Sequence, residues 1–403
     1  MKILVVDDDP LILKALNRTF RMQRPGWDAQ VVDSGEEAVQ RLDRTAFDLV
    51  LTDMQMPGLD GTQVLRHARM VQPTAARVVL SGHAPLRRIL EAEGDYHRFL
   101  VKPVDPADLV AIVEAFALDP REDGAAQARA LVAGLDRIPS LPANLHELRR
   151  LLSLTQVDPG AVAAVILRDV GMASKVLKLV NSAYMPFRRS ITDLEQAVDF
   201  LGVDLLKEMV LDREVMVAAG DQAPEGVDLQ ELWNHCRYVG RVVRDLVHRE
   251  TGDARAAGEA YSVGLLHDIG QVVLATNPAC RYHELLASLP DPWENLTARE
   301  REQLGTDHVQ VGAELLKLWG LPDPFGSALR EQHVADLDRH TSLISLALHV
   351  AHSKVGQAGA PARFVEGACE DVNPARPAEA LLPLWQSVLE RWHVGAPRPT
   401  SFP

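Results

Sequence analysis

Five short apolar segments alternate with amphipathic stretches over residues 1–118, and this rhythm constrains the fold more than any other feature. The five segments are Ile3–Val6, Ala29–Val32, Leu49–Leu51, Val78–Leu80 and Phe99–Val101. Short β-rich runs separated by helical patterns are typical of βαβ units that build a parallel sheet. The sequence therefore predicts a doubly wound α/β domain with a five-stranded parallel sheet and five strand–helix units.

Beyond residue 130 the periodicity changes. Residues such as Leu145, Leu148 and Leu152 recur at helical spacing without a comparable strand signal, which predicts an all-α domain over residues 131–355. Residues 119–130 are charged and rich in Ala, and we interpret them as a partly helical linker. Residues 356–403 are rich in Ala, Pro and Gly before an apolar stretch, Leu381–Trp392, which predicts a terminal helix in a C-terminal extension.

Length, charge and cysteine content narrow the class of protein. A chain of 403 residues exceeds one ordinary core, which favours two domains. A net charge of −14 without a cluster of Lys and Arg indicates protein partners and no nucleic acid. No apolar run approaches the roughly 18 residues of a membrane span, and the first residues run into carboxylates, unlike a signal peptide. Three scattered cysteines fit a reducing compartment, so we expect a cytoplasmic protein.

Polar residues follow four of the predicted strands. Asp7 and Asp8 follow the first, Asp53 the third and Ser81 the fourth, while Lys102 stands at the end of the fifth. Ligands bind outside the carboxyl ends of the strands in such sheets, so these side chains should converge. Three carboxylates would repel one another without a hard cation, and oxygen ligands suit Mg²⁺. The sequence therefore predicts a Mg²⁺ site.

Asp53 is placed to accept a phosphoryl group. A carboxylate forms an acyl phosphate when a metal ion and a lysine neutralise the phosphoryl oxygens. Ser81 would hydrogen-bond one of these oxygens and Lys102 would pair with another, and such contacts favour one of two conformations.

Residues 1–118 resemble a response-regulator receiver domain, which has a flavodoxin-like fold. The matching segments are Val5–Asp8, Leu51–Gly58, Asp60–Gly61, Ser81–Gly82 and Lys102–Pro103. The resemblance implies that Asp53 is the phosphoacceptor, that a histidine kinase or phosphotransfer protein is the donor, and that Phe99 is the switch aromatic. It further implies a Mg²⁺ ion held by Asp7, Asp8, Asp53 and the carbonyl of Gln55. It is compatible with a homodimer.

The second domain resembles the HDOD family, a helical relative of the HD phosphohydrolases. The matching segments are Ile138–Pro142, Ile166–Val170, Leu177–Tyr184 and Ile191–Gly202, in order and in spacing. The resemblance implies a non-catalytic module that signals through contact with another, unidentified protein.

Gly264–Gly270 contains the adjacent His267 and Asp268, similar to the signature of the HD superfamily. Adjacent His and Asp can share a divalent ion, and His235 lies where that superfamily has its first ligand. Three further histidines follow, His308, His333 and His352. A working HD hydrolase uses a late Asp, and here His352 stands in its place. The sequence also lacks the Gly-Tyr-Pro element and the His-His pair of cyclic-dinucleotide hydrolases.

Three hypotheses remain open for these histidines. They pack the helices, they hold a second divalent metal without catalysis, or they form a receiver-regulated phosphohydrolase that cleaves a cyclic dinucleotide. We favour a response regulator in which phosphorylation of Asp53 controls a non-catalytic HDOD domain.

Overall fold

The N-terminal domain is built on a parallel sheet. The computed structural model describes residues 1–82, 92, 94–117, 124–133, 135, 138–181, 190–211, 228–277, 280–288, 296–334, 336, 340–357 and 383–387. The strands are β1 (Lys2–Val6), β2 (Asp28–Val32), β3 (Leu49–Thr52), β4 (Ala76–Ser81) and β5 (Arg98–Val101). They lie in the order β2-β1-β3-β4-β5 and all pair in parallel. The predicted doubly wound sheet is confirmed.

Four described helices cover this sheet. They are α1 (Pro10–Gln23), α2 (Gly35–Leu42), α3 (Gly61–Val71) and α4 (Pro106–Ala115). Each begins at a residue whose side chain accepts a backbone N–H of the first turn: Asp9, Ser34, Asp60 and Asp105. The helix predicted between β4 and β5 lies outside the described residues.

The remainder of the described chain is helical. The helices are α5 (Ala125–Ala133), α6 (Pro142–Leu152), α7 (Pro159–Ile166), α8 (Val170–Asn181), α9 (Leu194–Leu211), α10 (Leu229–Thr251), α11 (Ala254–Leu266), α12 (Ile269–Thr276), α13 (Tyr282–Ser288), α14 (Leu296–Leu304), α15 (His308–Leu318), α16 (Asp323–Glu331) and α17 (Leu343–Gln357). The predicted all-α second region is confirmed.

The helical core is organised around two pairs of packed helices. The long α10 packs along α11, and α12 packs against α15, which also contacts α16 and α5. Their apolar faces are buried, as Val239, Leu265 and Val311 illustrate. No described helix is long and apolar enough to cross a membrane.

Two segments outside the predicted domains are tied to the helical core. Residues 125–130, the second half of the predicted linker, belong to α5. This helix packs on α15 and buries Arg129 there, so this part of the chain is not a free linker. Of the predicted terminal helix, residues 383–387 are described and helical, and the rest lies outside the described residues. Within them Trp385 is fully buried and its indole N–H donates to Glu250 at 2.9 Å. The extension therefore contacts α10.

Candidate functional sites

The carboxyl ends of β1 and β3 bring three carboxylates together. One oxygen each from Asp7, Asp8 and Asp53 lies within 4.8 Å of the other two. Asp7 is buried, Asp53 is partly buried and Asp8 is exposed, so the group opens to solvent on one side. This arrangement fits a hard divalent cation with oxygen ligands.

Lys102 lies between two of these carboxylates. Its ammonium donates to Asp7 Oδ2 at 2.5 Å and lies 3.4 Å from Asp53 Oδ2. Burial raises the pKa of Asp53, and the charge of Lys102 opposes this rise. Lys102 is therefore the counter-ion of the carboxylates and stands where it can contact a group bound to Asp53.

The other predicted residues surround this centre. Ser81 ends β4 and is buried, and its carbonyl accepts the backbone N–H of Lys102 at 2.8 Å. Phe99 is fully buried in β5, with its ring edge-on to that of Tyr96 at 6.3 Å. Gln55 is exposed two residues after Asp53. The roles assigned to these three residues stay predictions.

A second centre lies in the helical domain, where six side chains converge from different helices and from the turns between them. His235 comes from α10, His267 and Asp268 join α11 to α12, and His308 begins α15. His333 follows α16 and His352 lies in α17, so all six predicted residues belong to one cluster. Hereafter these six residues are the histidine cluster.

The inner part of the cluster aims imidazole nitrogens at a carboxylate. His267 Nδ1 lies 2.7 Å from the carbonyl of Gly264, which can only accept, so Nδ1 donates and Nε2 faces the cluster. That Nε2 lies 3.2 Å from His235 Nε2 and 3.2 Å from Asp268 Oδ2. Burial lowers the pKa of His235, which favours its neutral form.

The outer part of the cluster faces the other oxygen of the same carboxylate. His308 Nε2 lies 3.7 Å from Asp268 Oδ1 and 3.5 Å from His333 Nε2. The rings of His333 and His352 meet edge-on at 4.5 Å. His333 is the exposed member, so solvent reaches the cluster on this side.

Two glycines allow the ligand-bearing helices to approach. A Cβ at Gly264 would lie 2.6 Å from the Cα of Gly240, where α11 crosses α10. A Cβ at Gly270 would lie 1.8 Å from the carbonyl oxygen of His308, where α12 crosses α15. Real side chains do not tolerate such distances, so glycine at these crossings brings His235, His267 and His308 within reach of Asp268.

A buried relay that the sequence did not reveal orients His308. Glu300 is fully buried in α14 and accepts from the Tyr282 hydroxyl at 2.6 Å and from His308 Nδ1 at 2.6 Å. Burial lowers the pKa of His308, but the Glu300 carboxylate outweighs burial and the pKa is about 9. No local signal marks Glu300, because it sits in a charged helical stretch that resembles a solvated surface.

The histidine cluster fits a divalent metal. Both oxygens of Asp268 are buried and accept no hydrogen bond of normal geometry among the described residues, while histidine nitrogens lie 3.2 to 3.7 Å from them. Burial raises the pKa of Asp268, but the neighbouring histidines outweigh burial and hold it well below its usual range. A buried carboxylate without well-formed hydrogen bonds is costly unless a cation compensates it. Imidazole nitrogens with one carboxylate suit Zn, Fe or Ni, and the backbone bond of His267 is the outer contact common for a ligand.

Two family comparisons match this architecture. The receiver domain of response regulators matches residues 3–114, and the HDOD domain matches residues 138–335. The chain joins a receiver domain to an HDOD domain. This combination indicates a response regulator of two-component systems.

Individual relatives match part of this chain. A protein of Treponema pallidum described as uncharacterized is 30% identical over 204 residues, 49% of this chain and 38% of its own length. The transcriptional regulatory protein GlrR of Escherichia coli K12 is 33% identical over 113 residues, 28% of this chain and 25% of its own. The chain thus spans well under half the length of these relatives.

The crystal structure of the MmoQ response regulator from Methylococcus capsulatus matches 62% of this chain and 99% of its own, with 24% identity and a TM-score of 0.48.

Proposed function

We propose that a histidine kinase or phosphotransfer protein phosphorylates Asp53, and that the phosphorylated receiver changes how the HDOD domain contacts a downstream signalling protein in the cytoplasm. The observation that carries the proposal is the position of Lys102, whose ammonium lies between the carboxylates of Asp7 and Asp53. A cation at this position is ready to pair with a phosphoryl oxygen on Asp53.

The transfer is a displacement at phosphorus. An oxygen of Asp53 forms the new O–P bond, the N–P bond of the donor phosphohistidine breaks, and its electron pair returns to the imidazole. Mg²⁺ at Asp7, Asp8 and Asp53 would neutralise charge on the phosphoryl oxygens during transfer. Lys102 leaves Asp7 for a phosphoryl oxygen, and Ser81 donates its hydroxyl to another. These new contacts favour the conformation of β5 that accompanies phosphorylation.

Phosphorylation of the full chain tests this proposal. With acetyl phosphate and Mg²⁺, intact-mass measurement should show one phosphoryl adduct, and peptide mapping should place it on Asp53. Asp53→Asn should remove it. Lys102→Ala should still form some phosphoryl adduct, but phosphorylation of this variant should no longer change the helical domain. An adduct that persists in Asp53→Asn would contradict the assignment.

A second activity is favoured by the buried Asp268 carboxylate. We propose that the histidine cluster holds a divalent metal, with His235, His267, Asp268 and His352 around one position and His308 and His333 beside it. Bound there, a metal would supply a Lewis acid or an activated water. The alternative function is then a receiver-regulated phosphohydrolase that cleaves a cyclic dinucleotide, although His352 replaces the late Asp of active relatives.

Elemental analysis separates these alternatives. The purified full chain should contain near-stoichiometric iron, manganese or zinc, and the His267→Ala/Asp268→Ala variant should lose it while keeping phosphorylation of Asp53. Metal-free wild-type protein after reconstitution would show that the histidines only pack helices. Cyclic-dinucleotide hydrolysis that disappears in the variant would establish the enzyme, and bound metal without hydrolysis would establish a non-catalytic centre.

A further inference from the structure

One helix touches both domains, and its two ends have different neighbours. The helix α15 begins at His308, a member of the histidine cluster, and ends at Leu318. Its eleven residues extend about 16 Å. The C-terminal half and the turn after it contact the receiver and the segment that leaves it.

The first set of contacts joins α15 to the end of the receiver. The buried carboxylate of Glu314 pairs with Arg129 of α5, whose guanidinium also donates to the carbonyl of Phe116 at 3.1 Å. Lys317 donates to the carbonyl of Ala117 at 3.1 Å. The end of α4 is therefore fixed to α15 through buried polar contacts.

The second set joins α15 to the strand that carries the switch residues. The ammonium of Lys178 lies 5.0 Å from the ring of Tyr96 and 5.4 Å from the ring of Trp319, which caps α15. It also donates to the Tyr96 carbonyl at 3.4 Å. One residue past that cap, Gly320 lies against the guanidinium of Arg98 in β5, 2.7 Å from where its Cβ would be.

The strand β5 continues the path to Asp53. Tyr96 precedes it and packs on Phe99, while Lys102 follows it and contacts the carboxylates. All these contacts are made with Lys102 bonded to Asp7, which is the arrangement before phosphorylation. Close-packed interiors transmit a shift of one buried side chain to its neighbours.

We propose that α15 couples the two domains: a phosphoryl group on Asp53 draws Lys102 and β5 away from this arrangement, loosens the contacts at Trp319 and Glu314, and so changes how His308 is held. The inference rests on the proposed phosphorylation of Asp53, but it does not require a metal. Coupling of this kind is reciprocal, so an ion bound beside His308 alters the stability of the phosphorylated receiver in turn.

Hydrogen exchange of the full chain, with Mg²⁺ and with or without beryllofluoride as the phosphoryl mimic, tests the coupling. In the wild type, amides of α15 should exchange about fivefold faster with beryllofluoride, because the contacts of the unphosphorylated state are weakened. Peptides of α7, which packs on α6, α8 and α9, should not change. Asp53→Asn should abolish every change.

Variants at the junction locate the path. Arg129→Met/Glu314→Leu removes both charges, so neither is left buried and unpaired. In this variant beryllofluoride should still change hydrogen exchange around Asp53, but it should no longer change hydrogen exchange in α15. The matched control is Arg168→Met/Glu147→Leu, an ion pair inside the helical domain, which should keep both changes. If the first double variant does not fold, Lys178→Met removes the cation between the two rings and should give the same separation.

The outcomes distinguish the two proposals. Beryllofluoride that changes exchange near Asp53 but leaves α15 unchanged in the wild type overturns the coupling and leaves the receiver function standing. An α15 response that survives both junction variants also overturns it. No change even near Asp53 would overturn the phosphorylation proposal and the coupling together.

Discussion

Asp53 is partly buried and Asp268 is fully buried, and their surroundings shift the pKa values of the two carboxyl groups in opposite directions. Burial dominates at Asp53 and raises its pKa, whereas the surrounding histidines overcome burial at Asp268 and lower its pKa. The Asp53 carboxyl group is costly to ionise until a metal cation binds beside it. The Asp268 carboxylate is held as an anion by imidazoles that would themselves be metal ligands.

Asp53→Asn should stabilise the metal-free receiver at neutral pH. A carboxyl group whose pKa is raised on folding costs nothing below its unfolded pKa of about 3.9. The cost grows between that pH and the higher folded pKa, and it is constant above it. The variant should therefore gain on the order of 1 kcal/mol at pH 7 and lose that gain toward pH 4. Calorimetry of the full chain in EDTA measures it. The exposed Asp33→Asn should change little, and an equal gain there would contradict the explanation.

Glu300→Ala should destabilise the helical domain by about 2 to 4 kcal/mol, because it leaves the Tyr282 hydroxyl and two donors of His308 buried without an acceptor. It should also weaken metal binding about 10- to 100-fold, since an outer contact orients the ligand. Urea unfolding and chelator competition measure the two effects. The matched control is Glu302→Ala on the exposed face of α14, expected within about 0.5 kcal/mol. Similar losses in both variants would show that Glu300 has no special role.

At the scale of helices, close crossings assemble the histidine cluster. The six members lie in or next to α10, α11, α12, α15, α16 and α17. They meet around Asp268 because α10 crosses α11, and α12 crosses α15, at glycines. The spacing of the side chains therefore depends on backbone contact between helices.

Gly264→Ala should separate α11 from α10 and disperse the cluster. The added methyl group would lie 2.6 Å from the Gly240 Cα, a backbone atom that cannot rotate away. We expect a loss of about 3 kcal/mol and a sharp drop in bound metal. Gly160→Ala in α7 is the control, since its methyl group meets only Asp158 Oδ1 at 3.4 Å. Unchanged metal content in Gly264→Ala, by elemental analysis, would contradict this account.

Sequence periodicity predicted the elements, because strand and helix patterns are local. The alternation of apolar segments predicted the sheet, and residues after the strands predicted which side chains would converge at Asp53. Motif resemblance predicted which residues belong to the histidine cluster, but it did not predict how they are arranged. Contacts such as Arg129–Glu314 and His308–Glu300 depend on how helices cross, and no local pattern encodes a crossing.

At the scale of the whole molecule, metal binding should stabilise the helical domain. A ligand that binds only the folded state adds about 2.7 kcal/mol at 100 times its dissociation constant. For a domain of this size, removal of the metal should lower the melting temperature by about 5 to 10 °C. Calorimetry before and after chelation measures this shift. The His267→Ala/Asp268→Ala variant should not respond to the chelator, and an unresponsive wild type would contradict a metal centre.

The contacts of Glu314 with Arg129, of Lys178 with Tyr96 and of Gly320 with Arg98 also limit how such a protein can be recombined. A chimera that exchanges the receiver at residue 118 would leave Trp319 and Lys178 facing a foreign strand. The proposed coupling between Asp53 and α15 would then be lost. A successful exchange has to move the cut beyond α5 and carry the residues at positions 96, 98 and 129 together. In such an exchange the receiver, α5 and the residues that face α15 have to be treated as one unit, even though each domain has a fold of its own.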